Sequence, residues 1–192
     1  MVRVVLYTPQ MEKQEKTTSQ FALMLLALIS QEPRSGYEIR KILVTTPMAH
    51  YSDSPGSIYP ALKRMEKRGL VRSEEESVGQ RKRQRYACTR KGNSALKQWL
   101  IKPVNRADVM YNLDELLLRF AFMQALSRRE TLAFLADLEQ HLERHVIELK
   151  KFFAGVKKAM PITGRLAMES GIESYEATLR WARRAKKELA SV

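Results

Sequence analysis

A chain of 192 residues can form one or two domains that each bury a core, and its 44% hydrophobic share fits a soluble globular protein. No run of about 18 apolar residues occurs, which excludes a membrane-spanning helix; Phe21 to Ile29 is too short for a signal peptide, so a cytoplasmic location is expected. The formal charge of +13 is concentrated in residues 1 to 100, where 18 Lys/Arg stand against 9 Asp/Glu, and this density points to nucleic acid or an anionic membrane surface.

Residues 1–20 join a short apolar run, Val2 to Tyr7, to a polar stretch, and are expected to form a mobile arm. Phe21 to Ile29 is apolar almost all round behind the capping residue Ser19, which predicts a buried first helix. A turn at Ser30 to Ser35 ends it. Gly36 to Leu43, with Ile39, Ile42 and Leu43 on one face, predicts a second helix stopped before Pro47, and Pro47 to Asp53 is expected to be a loop.

The next helix carries the functional reading. Ser54 suits the N-cap, Pro55 the first helical position, and Gly69 the stop, which bounds about four turns. At 100° per residue Ile58, Ala61, Leu62 and Met65 fall on one side, and Gly56, Pro60, Lys63 and Lys67 fall opposite, flanked by Tyr59 and Arg64. Pro60 deletes the bond to the carbonyl of Gly56 and keeps the front low in profile. Small groups at the N-terminal end with cations beyond let a helix press its backbone against a polyanion, so this is read as a DNA recognition helix.

Two extended stretches, Leu70 to Glu76 and Arg81 to Thr89, flank a Gly-containing tip and predict a β-hairpin. Arg81, Arg83 and Arg85 alternate and therefore share one face of the returning strand. In isolation a cationic run is a solvated face, but directly after a basic-fronted helix it can lie along phosphates beside the groove. Thr89 caps a helix to about Ile101, and Lys102 to Asn105 marks a domain boundary.

Beyond it the pattern is helical throughout. Leu113, Leu116, Leu117 and Phe120 mark one helix ending near Ser127, which can cap the next with Glu130 completing a capping box. In that next helix, about Arg128 to Lys158, Leu135, Leu138, Leu142, His145, Leu149, Phe152 and Val156 repeat with heptad spacing. Met168, Ile172, Tyr175, Leu179, Ala182 and Leu189 repeat likewise in the last helix. Part of this surface closes an intramolecular hairpin; the remainder, with Leu135, Leu138, Leu142, Leu149, Phe152, Ile172 and Leu179 as its seam, is expected to make a homodimer.

Catalytic and metal motifs are missing from the sequence: there is no Gly-rich phosphate loop, no serine elbow and no metal-binding helix motif. Cys88 is the single cysteine, and His141 and His145 lack a third ligand nearby. Neither an enzyme nor a metal or other cofactor is expected. Trp99, Met110, Tyr111, Phe120 and Phe122 cluster in sequence around the boundary, with Trp181 on the helix expected to fold back towards it. They are read as a pocket for a small aromatic ligand, or as ordinary core.

The order helix, helix, recognition helix, two-stranded wing, helix is a winged helix-turn-helix, and the fold class is mostly α. Residues 21–102 form the DNA-binding domain and 103–192 a helical, coiled-coil-like dimerisation domain. Pro33-Arg34-Ser35-Gly36-Tyr37-Glu38-Ile39, Pro55 to Leu62, Met65 to Val71, and Arg85-Tyr86 before Thr89-Arg90-Lys91-Gly92 resemble the PadR family of bacterial transcriptional regulators, over about Phe21 to Leu100. The tail, with Tyr175 and Trp181, is similar to the dimerising domain of the longer members. The resemblance implies a homodimeric repressor on a pseudo-palindromic operator in double-stranded DNA, released by phenolic acids, drugs or other small molecules. Two features depart from the family: the long N-terminal arm and the Arg-rich wing strand. Ser57, Tyr59, Lys63, Arg64, Lys67, Arg81, Arg83 and Arg85 are the expected DNA contacts. The alternatives are a protein-interaction module, or a nucleic-acid-binding protein without sequence preference, using the same basic faces.

Overall fold

The computed structural model describes residues 19–46, 48, 54–78 and 81–191, with the side chains of 77, 78, 81 and 82 excepted. The expected arm, most of the loop before the recognition helix and the tip of the wing lie outside the described residues. Helix α1 (Gln20–Gln31) begins where the hydroxyl of Ser19 accepts the N–H of Ala22, and it buries seven residues from Ala22 to Ile29. Where a turn was expected, Arg34–Ser35 forms a two-residue strand, β1. Helix α2 (Gly36–Thr45) comes next, closed by a capping box between Ser35 and Glu38.

Helix α3 spans Pro55–Lys67 and is capped by Ser54. Its back, Ile58, Ala61, Leu62 and Met65, is at most 2% exposed. Burial of the three larger side chains contributes about 1.5–3 kcal/mol each. The C-terminus closes in a Schellman motif: Gly69 N–H donates to the carbonyl of Glu66 at 2.8 Å and Leu70 N–H to that of Met65 at 2.9 Å. Gly69 carries the required positive φ, +69°. Strands β2 (Val71–Val78) and β3 (Arg81–Cys88) pair antiparallel, and β1 adds to the other side of β3, giving the order β1-β3-β2. Helix α4 (Arg90–Leu100) starts at Thr89, whose hydroxyl accepts from Gly92 N–H and donates to the carbonyl of Gly69. A Cβ on Gly92 would collide with the Leu70 carbonyl, so this joint between wing and helix needs glycine.

The helical half differs from expectation in its first third. Two short helices, α5 (Arg106–Tyr111) and α6 (Leu113–Ala121), stand there with a single 3₁₀ turn at Met123–Ala125. The extra helix α5 is marked by an Asn105/Asp108 capping box that sequence periodicity passed over. Helix α6 is a wall shared by two cores. Leu118 and Phe122 belong with the winged-helix core, while Leu116 and the partly buried Phe120 belong with the second. A step of two residues turns a helix by 200°, which sends the two stripes to opposite sides. The apolar set of the first core therefore does not end at Leu100, as the composition change at Lys102 to Asn105 suggests.

Helix α7 (Arg128–Val156) opens with the expected Ser127/Glu130 capping box, and α8 (Ile162–Ser191) returns antiparallel to it. Lys150 pairs with Glu176, Arg183 with Glu143 at 2.6 Å and Glu139 at 3.0 Å, and Arg128 donates to the Leu189 carbonyl. This hairpin absorbs most of the heptad seam. Leu135, Leu138 and Leu142 are fully buried within one chain, and Ile172 and Leu179 nearly so. His145 interrupts the seam by setting its ring edge-on to Tyr175, centroids 4.6 Å apart. Phe152 alone of that set is strongly exposed, at 60%. Among the described residues no helix is long and apolar enough to cross a membrane.

Candidate nucleic-acid interface

With its back sealed into the core, α3 can offer only its front. Gly56, Tyr59, Pro60, Lys63, Arg64 and Lys67 are exposed there, and Ser57 is half-buried. Lys63, Arg64 and Lys67 have no carboxylate partner among the described residues, so three positive charges lie along little more than one turn of one helix. Tyr59 rests over Gly36 at the start of α2: a Cβ on that glycine would stand 2.5 Å from the Tyr59 ring. The close approach of α2 to α3 thus sets where the Tyr59 hydroxyl is presented. Tyr37, beside it on α2, is 67% exposed and is not among the residues expected from sequence.

In the wing, Tyr86 and Val71 turn to the core and Arg83 and Arg85 to the opposite face. The register sets Glu76 opposite Arg83 and Glu74 opposite Arg85. Arg83 Nε donates to Glu76 at 2.5 Å, and its Nη1 reaches Glu38 of α2 at 3.3 Å. Arg85 Nη1 donates to the same Glu76 at 3.3 Å, and Nη2 to the carbonyl of Pro33. Glu74 is drawn instead to Arg72, 3.0 Å away. The hydrogen bond from Arg83 holds the Glu76 carboxyl below its usual range. Glu38 is lowered first by the Ser35 N–H and further by Arg83 and Arg85. Two of the expected phosphate-gripping arginines are therefore already engaged with protein. The side chain of Arg81 lies outside the described residues.

Glu38 and Glu76 are members of the site that sequence reasoning misses. The sequence places Leu70 to Glu76 and Arg81 to Thr89 on two strands but leaves their register open, and the structure supplies it by pairing Glu76 with Arg83.

The expected ligand residues do not converge on one space. Trp99 sits in the winged-helix core, donating Nε1–H to Glu115 at 3.0 Å. Phe120 packs in the second core, edge-on to Trp181 at 5.1 Å, and Tyr111 is 76% exposed. The wall made by α6 separates them. Arg119 on that wall is 1% exposed, donates to the carbonyls of Leu100 and Lys102, and stands over the Phe134 ring at 5.1 Å. A recess of about 250 Å³ does open at the junction, lined by Ser30, Asn93, Leu96, Lys97, Leu100 and Leu126 among others.

Residues 25–98 match the model of the transcriptional regulator PadR-like family, and residues 114–190 match that of the virulence activator alpha C-terminal region. Transcriptional regulator YqjI of Escherichia coli K12 is 32% identical over 78 residues, covering 41% of this chain. Those residues span 34% of the relative, so the chain matches about a third of the length of the curated relatives. Among solved structures, Bacillus subtilis PadR in complex with operator DNA is 21% identical, with 89% of this chain and 99% of that one covered and a TM-score of 0.43. The protein smu.1604c of Streptococcus mutans UA159 is 27% identical, with 90% and 99% covered and a TM-score of 0.41.

Proposed function

We propose, from the premise that this chain belongs through residues 25–98 to the PadR-like family of transcriptional regulators, that it binds a specific double-stranded DNA site through α3 and its wing. The observation that carries this reading is the α3 front, where low-profile Gly56 and Pro60 adjoin Tyr59, Lys63, Arg64 and Lys67, whose cations are unpaired among the described residues. A helix of this shape can enter the major groove, with Lys63 and Arg64 able to meet guanine edges and Ser57 and Tyr59 the flanking backbone. The Arg81 end of β3 would run along the phosphates beside it.

The exposed apolar side chains Ile147, Phe152, Ile162 and Leu166, at both sides of the α7–α8 turn, support a homodimer and so a pseudo-palindromic site. The reading extends to repression relieved by a small ligand, for which the junction recess between α1, α4 and the 3₁₀ turn is the candidate space. Selection of bound fragments from the source genome tests the central claim, the expected result being one enriched motif with two-fold symmetry. On that motif Lys63→Ala should cost roughly 1–3 kcal/mol, with a much smaller effect on random duplex. Equal losses on both duplexes would replace sequence-specific binding with general nucleic-acid binding.

A further inference from the structure

The wing arginines are the most cationic feature of the sequence, yet Arg83 and Arg85 are closed in a cluster with Glu38 and Glu76 whose net charge is zero. Glu76 accepts from Arg83 at 2.5 Å and from Arg85 at 3.3 Å, and Glu38 accepts from Arg83 at 3.3 Å. The cluster ties three elements together: Glu76 comes from β2, the arginines from β3, and Glu38 from the first turn of α2. Through the Pro33 carbonyl, Arg85 also grips the segment ahead of β1. All four side chains are 31–38% exposed, so these pairs are screened less than fully solvated ones, and the cluster lies at the surface where phosphate would approach.

Resting on the DNA-binding reading, we propose that Glu38 and Glu76 are specificity-determining residues, which neutralise Arg83 and Arg85 and fix the wing's angle to α2 and α3.

Affinity for random duplex is almost wholly electrostatic, growing with each phosphate that a free cation neutralises. Two guanidinium groups held by carboxylates add little to it. Affinity for the cognate site depends also on the wing and α3 meeting the duplex together, and that geometry is held by the same ion pairs. Removing one carboxylate therefore has two effects. The added positive charge tightens every duplex, whereas the loosened wing weakens only the cognate complex. The ratio of the two affinities falls.

The test uses the full-length protein, its selected site and a random duplex of equal length, titrated over a range of KCl concentrations. Glu76→Gln keeps the size of the side chain and removes its charge. Expected are a several-fold tighter random complex at low salt, a log-affinity against log-salt slope steeper by roughly 0.9, and a cognate-to-random ratio reduced several-fold. Glu38→Gln, which retains a capping-box residue at the start of α2, should move the same quantities in the same direction and serves if Glu76→Gln loses its folded circular dichroism. An unchanged ratio or an unchanged slope in the folded variant overturns the proposal. A wild-type protein that prefers no selected site over random duplex overturns the DNA-binding reading instead.

Discussion

At Ser127 three hydrogen bonds decide where the longest helical hairpin begins. The hydroxyl accepts the Glu130 N–H at 3.3 Å, while the Glu130 carboxylate accepts from the Ser127 N–H at 2.9 Å and from its hydroxyl at 2.7 Å. The Ser127 hydroxyl is the chief reason the Glu130 carboxyl falls to about 2, with the Ser127 N–H and Lys97 adding to it. Because the folded value lies below the ordinary 4.5, the stabilisation is fully present above about pH 4.5 and is lost as pH falls from there towards about 2. Glu130→Gln should therefore flatten the loss of stability over that window, as read by urea denaturation at about pH 5 and about pH 3. The box is legible from the spacing of Ser127 and Glu130 alone, since an N-cap interaction is confined to four consecutive residues. The role of Arg119 is not. An arginine between leucines and phenylalanines gives no sign that it will be buried across the carbonyls of Leu100 and Lys102, because its acceptors are 17 and 19 residues away.

Among the elements, α6 decides how far the winged helix is independent of the C-terminal helices. Its Leu118, with Phe122 at its end, completes a core that otherwise draws on α1 to α4, and Trp99 reaches it through Glu115. A fragment ending at Val104 loses these groups and bares the apolar surface beneath them. Loss of two large buried side chains costs several kcal/mol, on the order of 2–5 each by comparison with truncation to alanine. A fragment ending at Leu126 should melt well above one ending at Val104 in thermal denaturation; equal melting temperatures would show that α6 contributes nothing to the first core. The composition change at Lys102 to Asn105 marks a joint in the chain, but packing crosses that joint and the two units share a wall.

For the molecule as a whole, the heptad seam on α7 and α8 divides by depth along the hairpin. Near the winged helix it is closed within one chain, whereas around the turn its Phe152 remains exposed, as do Ile147, Ile162 and Leu166, which lie outside the seam. If these residues join two copies, Phe152→Asp should leave thermal stability at low concentration nearly unchanged and shift sedimentation to the monomer. A dimer that survives this change would locate the contact elsewhere. Periodicity by itself determined the mostly helical class, the buried back and cationic front of α3, the hairpin wing and the antiparallel tail, since each depends on residues close in sequence. It could not apportion the apolar surface. A stripe at heptad spacing reads alike whether it meets its own chain or another, and an arginine in a strand reads alike whether it meets phosphate or Glu76. Only the tertiary structure decided that Leu135 to Leu142 face inward, that Trp99 and Phe120 stand on opposite sides of α6, and that Arg83 and Arg85 are paired. These outcomes depend on what residues far apart in the chain bring within a few ångströms, where dispersion and charge act.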